Sequence, residues 1–185
     1  GAKAGDATAA KSKSGRAKTT AADPQAQYRV IYNTSGTYLT AAVVVTEPIR
    51  YTVEHQAVTA RGFLADTKTY SCELADGREA AFLCAVLNAP LLDQLIKPMQ
   101  SRGLWGPRDI HKKPLEFPIP QFEPGRDSHQ RLAEVGQECT DKVAHWLAGG
   151  GPGSIKSIGK LRSMVREMLA QELAQIDALV KEILA

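Results

Sequence analysis

Hydrophobic and polar positions follow two different periods in this chain, and the change between them falls near residue 76. Before it, short runs rich in β-branched and aromatic residues alternate with turn formers. Tyr28–Tyr32 and Thr37–Val45 flank the turn signal Asn33-Thr-Ser-Gly36, which predicts a β-hairpin, and Ile49–Val53, Gln56–Phe63 and Lys68–Leu74 predict further short strands. After it, Phe82, Leu83, Val86 and Leu87 fall on one face of a helix over Arg78–Leu87. Asn88-Ala-Pro90 interrupts that helix, and Leu91–Met99 predicts a second, short one. Eight glycines and prolines between Gly103 and Gly125 predict a stretch that is mostly loop, with room for a short strand around Leu115–Ile119.

From Ser128 onward the pattern is helical with one break. Ser128 reads as an N-cap, and Leu132, Val135, Cys139, Val143 and Trp146 mark one face. Ala148-Gly-Gly-Gly-Pro-Gly153 ends that helix. Ser154 then reads as the cap of one long helix carrying Ile158, Leu161, Val165, Leu169, Leu173, Ile176, Val180 and Ile183 at steps close to a heptad seam. The expectation is an α+β fold: a small β-rich domain with central helices, followed by a C-terminal antiparallel helical hairpin. The same seam could instead serve a partner helix or a second copy. The chain divides into a flexible lead-in over residues 1–26, a domain over 27–126 and the hairpin over 127–185.

Composition changes little in this picture. Apolar residues make up 43% of the 185, enough for a core. No apolar run is long enough to span a bilayer, so no membrane partner is expected. The net charge of +3 is misleading, because Lys3, Lys11, Lys13, Arg16 and Lys18 against Asp6 and Asp23 account for all of it within residues 1–24. That segment has no aromatic residue and no apolar period, so it reads as a lead-in, with a DNA-touching basic arm as the alternative. The folded part is balanced, and any argument for nucleic acid must come from local clustering. Three dispersed cysteines, Cys72, Cys84 and Cys139, point to a reducing compartment rather than a disulfide framework. Gly1 in place of Met reads as the start of a piece of a longer protein.

Catalytic patterns are missing. Gly153-Ser-Ile-Lys-Ser-Ile-Gly159-Lys160 resembles a phosphate loop, but Leu161 stands where Ser or Thr must reach the metal. Glu134 and Glu138 suit a solvated helix face better than an acid/base pair. His129, Cys139 and His145 match no common zinc spacing. Asn88-Ala-Pro-Leu91 lacks the second proline and the aromatic of an adenine-gripping motif, and Pro90 as a helix stop explains it.

The segment that carries chemistry is Lys97 to Lys113. It holds Lys97, Arg102, Arg108, Lys112 and Lys113 against Asp109 alone, together with Trp105 and His111. Glycines allow close backbone approach, and arginine can grip guanine edges or clamp phosphates. Lys112 and Lys113 suit phosphates, which set affinity without reading sequence. Composition alone fits a solvated surface loop equally well. In the hairpin, Asn33 and Tyr38 are further candidates, although turn geometry and strand packing also account for them.

Three blocks carry a family likeness: Phe82 to Pro90, Gln100 through Trp105, Arg108 and His111 to Pro120 and on to Phe122-Glu-Pro124, and the helical His129–Gly136 and Leu161–Leu169 with Ile176, Asp177 and Val180. They resemble the C-terminal target-recognition region of N6-adenine DNA methyltransferases from type II and fused type IIG restriction-modification systems. The resemblance spans roughly residues 28–184, and its middle block is the most specific. It implies a recognition domain that clamps double-stranded DNA opposite a catalytic domain of the same parent chain. That domain would bind S-adenosylmethionine and flip the target adenine. This chain has neither a Gly-rich cofactor loop nor the Asn-Pro-Pro-aromatic motif, so no cofactor is expected on it. The expected compartment is the cytoplasm of a prokaryotic cell. From another class, the alternative is a protein-interaction module that docks a partner subunit through its C-terminal helices.

Overall fold

The computed structural model describes residues 27–46, 49–60, 68–103 and 106–184, which leaves the lead-in, Arg61–Phe63 and Trp105 outside the described residues. The fold is α+β. Strand β1 (Tyr28–Asn33) lies in the middle of a three-stranded antiparallel sheet, between β2 (Ala41–Val45) and β5 (Thr69–Leu74). The β1–β2 pairing is the expected one, but Thr37–Thr40, read as strand, belongs to the connection, so the turn is longer than Asn33–Gly36. The β1–β5 pairing joins residues some forty positions apart, with Val30 opposite Cys72 and Tyr32 opposite Tyr70. Alternation sets the faces: Val30 and Tyr32 are buried, while Arg29 on the other face pairs with Glu73. Tyr32 and Tyr70 stack with ring centroids 5.4 Å apart. Strands β3 (Ile49–Val53) and β4 (Gln56–Ala60) form a separate hairpin.

Helix α1 (Gly77–Asn88) packs on this sheet. The Asp76 carboxylate caps it by accepting from the Arg78 N–H at 2.7 Å. Its buried Ala80, Ala81, Phe82, Cys84, Ala85, Val86 and Leu87 are the largest single contribution to the core. Pro90, whose missing N–H is harmless at a helix start, opens α2 (Pro90–Ile96), which runs into a 3₁₀ turn at Lys97–Met99. No side chain nearby caps α2. Instead the Leu91 N–H donates to Asp177, which lies 86 positions further along the chain, at 2.6 Å.

Helix α3 (Asp127–Ala148) lies against α1 on the side away from the sheet. The two approach closely because position 136 has no side chain: a Cβ on Gly136 would stand 2.7 Å from the Ala81 carbonyl oxygen. The cap position of α3 is Arg126, and Ser128 is buried inside the first turn, so the expected Ser128 cap is corrected. The long final helix is also corrected. It breaks at Leu169 into α4 (Ile158–Met168), capped by Ser157 rather than Ser154, and α5 (Ala170–Leu184). No glycine or proline marks this break. It lets α5 bury Ile176 and Val180 in the core while α4 turns toward the hairpin loop.

Helices α3 and α5 pair through Lys142 with Glu172 and Arg131 with Gln175, so their contacts run in opposite directions along the two helices. The strand anticipated at Leu115–Ile119 is a 3₁₀ turn, Lys113–Glu116, with Pro114 buried as its anchor. A two-residue pairing joins β6 (Arg102–Gly103) to β7 (Gly106–Pro107) instead. One core cluster runs from Val30 to Val180 and includes residues on both sides of position 126. Among the described residues, no single helix is long and apolar enough to cross a membrane.

Candidate nucleic-acid interface

The connection between β1 and β2, residues 34–40, is fastened to the basic segment by its backbone. Gly36 N–H donates to the Arg108 carbonyl at 2.9 Å, and the Thr34 carbonyl accepts from both Ile110 (3.0 Å) and His111 (2.9 Å). Ser35 and Asp109 add an antiparallel bridge. Ile110, fully buried, anchors the segment from below. The Tyr32 hydroxyl donates to the His111 carbonyl at 3.1 Å. Burial, reinforced by Tyr70, raises the Tyr32 pKa to about 12, so this donor keeps its proton at any physiological pH. These bonds hold His111 at φ 42°, a left-handed backbone that a non-glycine residue adopts only when its surroundings impose it.

Asn33 is committed to the loop. Its Nδ2 donates to the carbonyls of Ser35 (2.9 Å) and Tyr38 (3.0 Å), and its Oδ1 accepts from Thr40 N–H (2.8 Å). The sequence candidate is therefore a shaping residue, with its amide group already used. The chain after Tyr38 is held by Asp93, a buried carboxylate on α2. Its Oδ1 accepts from Leu39 N–H at 2.8 Å, and its Oδ2 pairs with Lys97 Nζ at 3.0 Å.

Around this loop the cations gather. Lys97 Nζ lies 5.2 Å from the Tyr38 ring centroid, and the Arg166 guanidinium carbon lies 5.0 Å from it. Arg162 reaches the loop too: its Nη1 is 3.9 Å from where a Gly36 Cβ would stand. Arg162, Ser163, Arg166 and Glu167 of α4 line a shallow cleft with Thr37 and Tyr38. Arg108 and Lys112 are exposed, and Lys113 is half-buried. The His111 imidazole stands 3.9 Å from Asp109. Only Lys97 of these cations is engaged by a buried carboxylate, and even its side chain is 40% exposed. The side chain of Arg102 lies outside the described residues.

Sequence reasoning missed Arg162 and Arg166. The segment 154–168 carries Lys156, Lys160, Arg162 and Arg166 against Glu167 alone, a basic run comparable to the first. Arg162 and Arg166 stand at i and i+4 and so share a helix face. Attention to the apolar seam hid that signal. Among the described residues no group of three or more His, Cys, Asp or Glu could hold a metal ion. No protein-family model, curated protein or solved structure matches this chain.

Proposed function

We propose that the chain is the sequence-reading part of an adenine-specific, S-adenosylmethionine-dependent DNA methyltransferase of a restriction-modification system. In this reading it binds double-stranded DNA, while a catalytic domain of the same parent chain holds the cofactor and transfers the methyl group in a prokaryotic cytoplasm. The observation that carries the reading is the gathering of Lys97, Arg108, Arg162 and Arg166 about one backbone-stapled loop, beside Lys112 and Lys113. Cations drawn from two remote segments outnumber the carboxylates beside them, Asp93 and Glu167, and crowding them is costly without a further anion. A duplex backbone supplies anions at the required density. Arg108 suits a guanine edge or a phosphate, Lys112 and Lys113 suit phosphates, and Tyr38 offers an aromatic edge beside them.

The test is duplex binding as a function of salt. Affinity should fall steeply from 50 to 200 mM salt. Arg108→Ala, Lys112→Ala and Lys113→Ala together should weaken binding and flatten the slope of log K against log salt by roughly 3. An unchanged slope in the triple variant removes this surface from the proposal. The exposed Leu147 (54%) and Ile158 (65%), at the ends of α3 and α4, favour the second reading, a module that docks a partner through its C-terminal helices. Salt-independent duplex binding together with capture of a partner lost in Leu147→Asp would decide for it.

A further inference from the structure

Behind the cationic cleft, a cavity of 380 Å³ opens between β2, α1, α3, α4 and α5. Small-molecule sites span roughly 300–1,000 Å³. Its wall is hydrocarbon: Val43, Ala85, Val143, Leu161, Val165 and Leu173 supply one or two side chains from each element. Two polar side chains on the wall, Asn88 and Thr140, are bonded within the protein. Asn88 Nδ2 donates to the carbonyls of Ala41 (2.9 Å) and Cys84 (3.0 Å), and its Oδ1 accepts from Ala41 N–H (3.0 Å). Thr140 Oγ1 donates to the Gly136 carbonyl at 3.1 Å. A wall that is mostly hydrocarbon favours an apolar occupant.

The rim has a different character. Tyr38, Arg162 and Arg166 line both this cavity and the adjoining cleft, where Glu167 is the one carboxylate. We infer that the cavity binds an anionic amphiphile: an unbranched hydrocarbon body lies in the chamber, and a carboxylate or similar anionic head is held by Arg162 and Arg166. Charge complementarity at the rim and a wall that is mostly hydrocarbon select this chemistry over a neutral or a polar ligand. The inference shares Arg162 and Arg166 with the DNA reading, but recognition of the hydrocarbon body belongs to the chamber alone, so a chain-length dependence tests it separately from duplex binding.

Isothermal titration of the whole chain with monomeric sodium dodecanoate tests it. Saturable one-to-one binding is expected. Decanoate, two methylenes shorter, should bind roughly tenfold more weakly, because each buried methylene contributes about 0.8 kcal/mol. Dodecanol, with no charge, should bind at least tenfold more weakly, and Arg162→Gln with Arg166→Gln should reduce dodecanoate to the dodecanol level. Absence of saturable dodecanoate binding, equal affinity for the two chain lengths, or undiminished binding by the double variant would overturn the inference. So would binding only to phosphatidylglycerol vesicles and not to the monomer. The chain-length and dodecanol comparisons use the unaltered protein, so they test the inference whether or not the double variant folds.

Discussion

Gly136→Ala is the substitution on which the packing argument is most exposed. In most helices the change is favourable by about 0.8–1 kcal/mol, because alanine loses less backbone entropy than glycine. Here the added methyl would stand 2.7 Å from the Ala81 carbonyl oxygen and 3.1 Å from the Ala85 Cβ. Both are parts of α1 and neither can rotate away. The two helices must separate by several tenths of an ångström across a core that includes Phe82, Val86, Leu132 and Val135. Overpacking of this kind costs about 1–3 kcal/mol. Set against the propensity gain, the net loss is up to about 2 kcal/mol. Urea unfolding followed by far-ultraviolet circular dichroism should show a lower midpoint at unchanged slope. Each kcal/mol should also lower Tm by roughly 2–4 °C for a chain of this size. Gly159→Ala, where the nearest neighbour is Ser157 Oγ at 3.8 Å, is the control and should be neutral or slightly stabilising. A Gly136→Ala variant as stable as the parent would refute the claim that this glycine sets the distance between α1 and α3.

Three other outcomes follow from geometry already described. His129 is fully buried, its Nδ1 accepts from Glu123 N–H at 3.1 Å, and burial, aided by Arg126, lowers its pKa below the usual 6.5. The unfolded chain therefore takes up this proton more readily. Stability should be complete above about pH 6.5 and fall as pH drops below it, and His129→Phe should flatten that slope in urea titrations at several pH values. Asp93→Ala leaves the buried Leu39 N–H without its 2.8 Å acceptor and should cost about 1–3 kcal/mol, whereas Asp93→Asn, which keeps an acceptor, should recover most of it in the same assay. Asn33→Ala should weaken duplex binding equally for every DNA sequence, since its amide shapes the loop; a loss confined to one base pair in a binding-site selection would contradict this.

What the sequence displayed was local. Runs of β-branched and aromatic residues between turn formers identified β1, β2 and β5, and the Phe82–Leu87 face identified α1 within a residue or two. The basic segment was visible by composition. What stayed hidden depends on residues far apart in the chain. Nothing near Leu91 announces that Asp177 will cap it, and nothing at Leu169 announces a break, since Met168 and Ala170 both favour continued helix. The 3₁₀ turn at Lys113–Glu116 was misread because Leu115–Ile119 is apolar enough for a strand, while Pro114 fixes the backbone before it. Asn33 was legible as a turn residue, but the closure of all its bonds within the turn was not. Arg162 and Arg166 join the loop only because α4 folds back across it, a consequence of the break at Leu169.

The carboxylate of Asp177 deserves a last consequence. It supplies the hydrogen-bond acceptor at the start of α2, the helix whose Asp93 in turn fastens the loop between β1 and β2 at Leu39. A splice that replaced the final helix with that of a cousin would thus disturb a surface at the opposite end of the polypeptide, unless an acidic residue arrived at the same station. Any change to the loop would thus have to carry the tail along with it, as a matched set.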